Sequence, residues 1–109
     1  MKTIKSLEVD SNTLMIRFED DTGINLSDDA QSCCEHRYMT CDDSLDYYVG
    51  AEYYDWETRD GGGDGGGDYS EHDIEFLIVN TSRGSFTVAN HNVHNGYYGG
   101  FGVTEHTVN

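Results

Sequence analysis

The chain opens on a strict alternation. Leu7 and Val9 alternate with Glu8 and Asp10, and Leu14, Ile16 and Phe18 alternate with Met15, Arg17 and Glu19. Successive side chains of a strand point to opposite faces, so a period of two sets one face on a core and the other in water. Ser11-Asn12 between the two runs reads as a hairpin turn. Asp21-Thr22-Gly23 leads into a short third strand around Ile24-Asn25-Leu26. The N-terminal part is therefore expected to be a β-meander.

Further along the pattern weakens. Residues 27–41 have no clear period and carry all three cysteines. Thr40 or Asp42 can cap one short helix over residues 43–49, with acids in its first turn and Gly50 ending it. Residues 51–60 set Tyr54 and Trp56 against Tyr53, Asp55, Glu57 and Arg59, which suits a strand with one wet face. Residues 60–70 hold two Gly-Gly-Gly-Asp units and read as a flexible hairpin connection, too entropic to hold regular structure alone. Residues 73–81 are apolar on both faces at Ile74, Phe76, Leu77, Ile78 and Val79, which marks the central strand. Thr81-Ser82-Arg83-Gly84 turns into a strand over 85–90 with Phe86 and Val88 inward, and residues 97–108 read as Gly-broken strand or loop. The expectation is an α+β fold: one β-dominated antiparallel domain over residues 1–109, with about six strands and one short helix. A chain of 109 residues suits one domain, and its 8 Tyr, 4 Phe and 1 Trp supply the large side chains of a small core.

Charge is spread very unevenly. The formal net charge is −15, from 21 acids and 6 bases. Residues 42–75 hold 12 acids against Arg59 alone, whereas residues 76–109 hold only Glu105 against Arg83. Such a balance excludes a nucleic-acid binder held by phosphate neutralisation and a polybasic membrane binder. No apolar run approaches the roughly 18 residues of a membrane-spanning helix, and Met1-Lys2-Thr3-Ile4-Lys5 lacks an apolar signal core. Cys33, Cys34 and Cys41 make an odd, unevenly spaced set, which suits reduced thiols and a cytosolic setting.

Two sets of residues carry candidate function. The first is an acidic belt: Asp42, Asp43, Asp46, Glu52, Asp55, Glu57, Asp60, Asp64, Asp68, Glu71, Asp73 and Glu75. Carboxylates at i and i+2 of a strand recur about every 6.6 Å on one face. A row of that kind can resemble a nucleic-acid backbone to a basic cleft on a host protein, with fast, salt-sensitive association. Tyr47, Tyr48, Tyr53, Tyr54 and Trp56 are interleaved with it as candidate apolar anchors. The plainer reading is a solvated, solubilising face.

The second set is a candidate ligand pocket built from residues 33–37 and 90–101: Cys33, Cys34, Glu35, His36, Arg37, Asn90, His91, Asn92, His94, Asn95, Tyr97 and Tyr98. Imidazoles and amides can read a base or a carboxylate, and Tyr faces stack, so a nucleotide-like small ligand is the partner of this alternative. Arg37 and the histidines are expected to face one shared cavity. The plainer reading is that Asn and Gly build tight turns here. A zinc site on Cys33, Cys34, His36 and Cys41 is not expected, since adjacent cysteines on an extended segment point apart and no Cys-x-x-Cys pair exists. No cofactor is expected. A hydrolase using one of the cysteines with His36, His91 or His94, or a metal-dependent one using His and Asp, has candidate residues but no orienting arrangement. The Gly-Gly-Gly-Asp doublet lacks the interleaved apolar residues of calcium-binding repeats.

Ser32-Cys33-Cys34-Glu35-His36-Arg37-Tyr38-Met39-Thr40 with Asp42-Asp43, and Ala89-Asn90-His91-Asn92 with His94-Asn95-Gly96-Tyr97-Tyr98-Gly99-Gly100-Phe101, form a second kind of signal. Together they resemble a family of small, functionally uncharacterised domains carried by phages and prophages. Cys41 and the Gly-Gly-Gly-Asp loop depart from that pattern. The resemblance implies a phage-related cytosolic setting and carries over no catalytic residue. By analogy alone, small acidic phage proteins include anti-CRISPR proteins and other host-defence inhibitors, several of which mimic nucleic acid. The leading expectation is thus a non-enzymatic inhibitor that occupies a basic nucleic-acid site on a host protein, with the ligand pocket as the alternative.

Overall fold

A computed structural model describes residues 2–28, 35–64, 71–94 and 102–109. Eight strands form it: β1 (Lys2–Asp10), β2 (Thr13–Phe18), β3 (Gly23–Asp28), β4 (Glu35–Thr40), β5 (Glu52–Asp64), β6 (Glu71–Thr81), β7 (Gly84–His94) and β8 (Val103–Val108). All pair antiparallel in one sheet of order β4-β7-β6-β5-β1-β2-β3-β8. A single 3-10 turn, Leu45–Tyr48, joins β4 to β5.

The sheet is folded over on itself through β1. Lys2 and Thr3 pair with Tyr53 and Glu52 of β5, whereas residues from Ile4 onward pair with β2, and the register shifts between Ile4 and Ser6. That bulge at Lys5 bends the strand from one half of the sheet to the other. The inward phases of the two halves then meet. Ile4, Leu14, Ile16, Phe18, Ile24 and Leu26 from one half and Met39, Leu77, Val79, Phe86 and Val88 from the other form a single buried cluster. Full burial of an aliphatic or Phe side chain stabilises by about 1.5–3 kcal/mol, so the alternation seen in the sequence is the main folding force. Gly23 is required by a close approach, because a Cβ there would stand 2.6 Å from the carbonyl oxygen of Ile16.

Four sequence expectations are corrected. Among the described residues the strands number eight rather than about six: β4 falls where no period is legible, since Glu35–Thr40 holds few apolar residues, and β8 resolves the strand-or-loop reading of 97–108 as a strand, with four of the six residues of Val103–Val108 exposed on a sheet edge. The expected helix over 43–49 is a four-residue 3-10 turn after Ser44, with neither Thr40 nor Asp42 capping it. Its expected acidic first turn is partly used elsewhere, since Asp43 Oδ2 accepts the Thr87 backbone N–H at 2.8 Å. In β5 the phase is shifted. The register slips between Tyr53 and Asp55, which lets Tyr53 and Trp56, three residues apart, both pack on the core and leaves Tyr54 exposed. Finally, β5 runs on through the first Gly-Gly-Gly-Asp unit, with Gly63 opposite Asp73 and Asp64 opposite His72, so pairing to β6 orders glycines that could not order themselves.

β6 lies between β5 and β7, as an interior strand should. Leu77 and Val79 are fully buried, while Phe76 on the other face is partly exposed. No helix among the described residues is long and apolar enough to cross a membrane.

Candidate functional site

Between positions 42 and 57 the chain has six carboxylates and no base. Asp42, Asp43, Asp46, Glu52, Asp55 and Glu57 are all exposed. The framework beneath them is tied down. Arg83 Nη1 donates to the carbonyls of Tyr47 and Val49, at 2.9 Å each, fastening the β6–β7 turn to the 3-10 turn. Glu52 and Ser82 exchange two hydrogen bonds, the Glu52 N–H to Ser82 Oγ and the Ser82 N–H to the Glu52 carbonyl, both 2.9 Å. Asp55 accepts from Asn80 Nδ2 at 2.6 Å, and Glu57 meets Arg59 at 3.1 Å. Among the described residues no base lies within ion-pair distance of Asp42, Asp43, Asp46, Glu52 or Asp55; Lys2 and Lys5 pair instead with Asp20 and Asp21.

The twelve-residue belt does not form one row. Glu57 stands opposite Ile78 and Asp55 opposite Asn80, on the outer face with Phe76. Glu75 belongs to the opposite phase, that of buried Leu77 and Val79, and is the partner of Asn90 on one side and Asp60 on the other. Asp73 is the partner of Asn92, and Glu71 of His94. The pleat therefore separates Glu75 from Asp55 and Glu57. Asp64 is paired in β5, and Asp68 lies outside the described residues.

The anchors divide too. Tyr47 and Tyr54 are 59% and 48% exposed. Tyr48 packs on Phe86 with ring centroids 5.0 Å apart, and its hydroxyl donates to the Ser85 carbonyl. Tyr53 lies 5.5 Å from the Phe18 ring, and Trp56 Nε1 donates to Glu105 Oε1 at 2.8 Å. Burial, then the Glu105 and Asp55 carboxylates, push the Tyr53 phenol up to about 12.

The second candidate set gathers where β4 runs beside β7. Arg37 is the Cα partner of Asn92, Glu35 of His94 and His36 of Val93. Asn90 and Asn92 are fully buried, facing the far half of the sheet, where Asn90 Nδ2 donates to Asp28 Oδ2 at 2.8 Å. Asp28, 1% exposed, also accepts the Gly102 N–H at 3.3 Å on Oδ1. Sequence reasoning missed Asp28, which falls in residues 27–41, where no period marks a side chain as inward. His91, one residue from each asparagine, is on the other face. It stacks on Tyr38 at 4.5 Å and meets the Thr40 hydroxyl at 2.8 Å, so the sheet itself separates it from the amides it was expected to join. Cys33, Cys34, Asn95, Tyr97 and Tyr98 lie outside the described residues. Cys41 donates to the Thr87 carbonyl, and burial pushes its thiol up, the reverse of what an activated nucleophile needs.

The family profile described as "Domain of unknown function (DUF7448)" matches residues 1–102. The chain belongs to this family. The matched span of the DUF7448 domain takes in β1 to β7 and both candidate sets, and stops before β8. No curated protein and no solved structure matches the chain.

Proposed function

We propose that this DUF7448 domain is a non-catalytic binding module that occupies a basic nucleic-acid site on a host protein by mimicking the charge of nucleic acid. The phage-borne setting implied by the sequence resemblance makes that host protein a defence component, for which a CRISPR effector is the leading example. One observation carries the reading: the carboxylates of residues 42–57 are all exposed, on a braced framework, with no base interspersed. Exposed charges of this kind keep their hydration, and all but Glu57, which meets Arg59, stand without an ion-pair partner among the described residues, as electrostatic steering to a cationic cleft requires. Exposed Tyr47 beside them adds the apolar contact that charge alone does not give.

The test is capture of nucleic-acid-binding proteins from the host on immobilised domain, at low and moderate salt. Bound protein is expected to elute as salt rises and to be displaced by labelled DNA or RNA, since exposed charges are screened beyond about 8 Å at physiological ionic strength. A triple variant, Asp42→Lys, Asp46→Lys and Glu52→Lys, is expected to lose capture while keeping its fold. Capture that survives both salt and this variant would show the acids to be a solubilising face.

A second reading keeps one specific support. Asn90 Oδ1 is buried and has no hydrogen-bond partner among the described residues. A nucleotide-like ligand could supply the missing N–H donor beside the β4–β7 ladder, where the backbone of Arg37 is in register with that of Asn92. Thermal-shift screening against nucleotides tests it, with an Asn90→Ala variant as the control.

A further inference from the structure

We propose that the outer edge of β5 over residues 54–59 is a docking edge, to which a partner protein adds an extended strand with Lys or Arg at alternate positions. The proposal rests on the acidic-module reading and specifies how that module is engaged. β1 reaches only Tyr53 and Glu52 of β5; past Tyr53, the sole ladder partner of β5 among the described residues is β6. A strand paired on one side presents a row of unused N–H and C=O groups on the other, which is a template for strand addition. The row over 54–59 is about 20 Å long at 3.3 Å per residue, the length of an ordinary strand.

Its side chains specify the incoming strand. On the outer face Asp55 and Glu57 are exposed, and the Glu57–Arg59 pair closes the acidic stretch. On the inner face stand half-buried Trp56 and exposed Thr58. Neighbouring side chains on adjacent strands lie about 4.5–5.5 Å apart, so the added strand needs cations opposite Asp55 and Glu57 and small or apolar residues opposite Trp56 and Thr58. A second copy of this chain is a poor occupant, because a symmetric β5–β5 contact sets acidic faces against each other. The two end strands of the sheet lack this chemistry. β8 offers one acid, Glu105, already holding the Trp56 indole, and β4 offers one, Glu35, next to His36 and Arg37.

Residue-resolved amide exchange on the full chain tests this, with a synthetic peptide alternating Lys and Val as probe and its Glu-for-Lys counterpart as control. The Lys peptide is expected to slow exchange about tenfold at alternate amides within 54–59, those facing away from β6. The Glu peptide is expected to do nothing, and Asp55→Lys with Glu57→Lys to abolish the effect. Protection elsewhere, no binding, or a dimer that already protects this edge would overturn the assignment. The two proposals fail separately. If Asp42→Lys, Asp46→Lys and Glu52→Lys abolish partner capture while the edge stays unprotected, the docking edge falls and the acidic module stands. If neither variant affects capture, the module reading itself falls.

Discussion

The stretch from Asp42 to Glu57 and the polar end of the core around Asp28 both hold carboxylates, and they hold them in opposite ways. In the first, six exposed acids stand over backbone ties made by Arg83 and Ser82, while Asp55 accepts from the Asn80 side chain and Asp43 from the Thr87 N–H. Asp42, Asp46 and Glu52 keep their water, so each costs little and stabilises little. In the second, Asp28 is removed from water and depends on donors such as Asn90 Nδ2 and the Gly102 N–H. A buried carboxylate needs such donors, because unpaired it carries the whole desolvation penalty. The contrast separates what the fold requires from what it merely displays. Carboxylates that the fold does not use are free to be shaped by a partner.

The largest expected effect breaks the buried side. Asn90→Ala removes a donor to a carboxylate that is 1% exposed, and is expected to lower stability by about 1.5–3 kcal/mol, the range for hydrogen bonds to charged groups. Urea unfolding followed by circular dichroism measures it. On the exposed side, Glu57→Gln or Asp46→Asn is expected to stay within about ±0.5 kcal/mol in the same assay. Equal losses at Asn90 and Asp46 would erase the distinction between the two regions.

Legibility in the sequence follows the same division. Where one face is buried and the other wet, alternation announces the strand: Leu14, Ile16 and Phe18 in β2 and Phe86 and Val88 in β7 lie inward as expected. Where that contrast fades, the signal weakens to strand or loop at β8 and to none at β4. β4 has Met39 in the core but polar residues through most of its length, and β8 is exposed at residues 104–107. The bulge at Tyr54 leaves no mark on composition, so one register slip exchanged the roles of Tyr53 and Tyr54. For the sites, exposure of the acids in 42–57 followed directly from charge density. The pairing of residues 35–37 with residues 92–94 brings together parts of two motifs that sequence chemistry had linked. What sequence reasoning could not supply was the side of the sheet: His91 against Asn90, and Glu75 against Glu57, are assignments of pleat and register.

The smallest expected effect concerns the point where the two halves of the sheet meet near the acidic region. Tyr53 lies against Phe18, and its phenol is raised from 10 to about 12, first by burial and then by Glu105 and Asp55. A raised folded-state pKa means that the folded protein prefers the neutral phenol. The associated stability is intact below pH 10 and is lost as pH climbs from 10 through about 12, where the unfolded chain has already ionised. Difference ultraviolet titration of the protein against a Tyr53→Phe variant isolates this one phenolate among eight tyrosines. Glu105→Gln keeps an oxygen acceptor for the Trp56 indole N–H while removing the nearby charge, so the Tyr53 transition should move part of the way back towards 10, burial being the larger cause. A return all the way to 10 would mean that the phenol is wet and that β5 is not packed on the core at Tyr53. No movement at all would mean that β8 does not bring Glu105 beside β5.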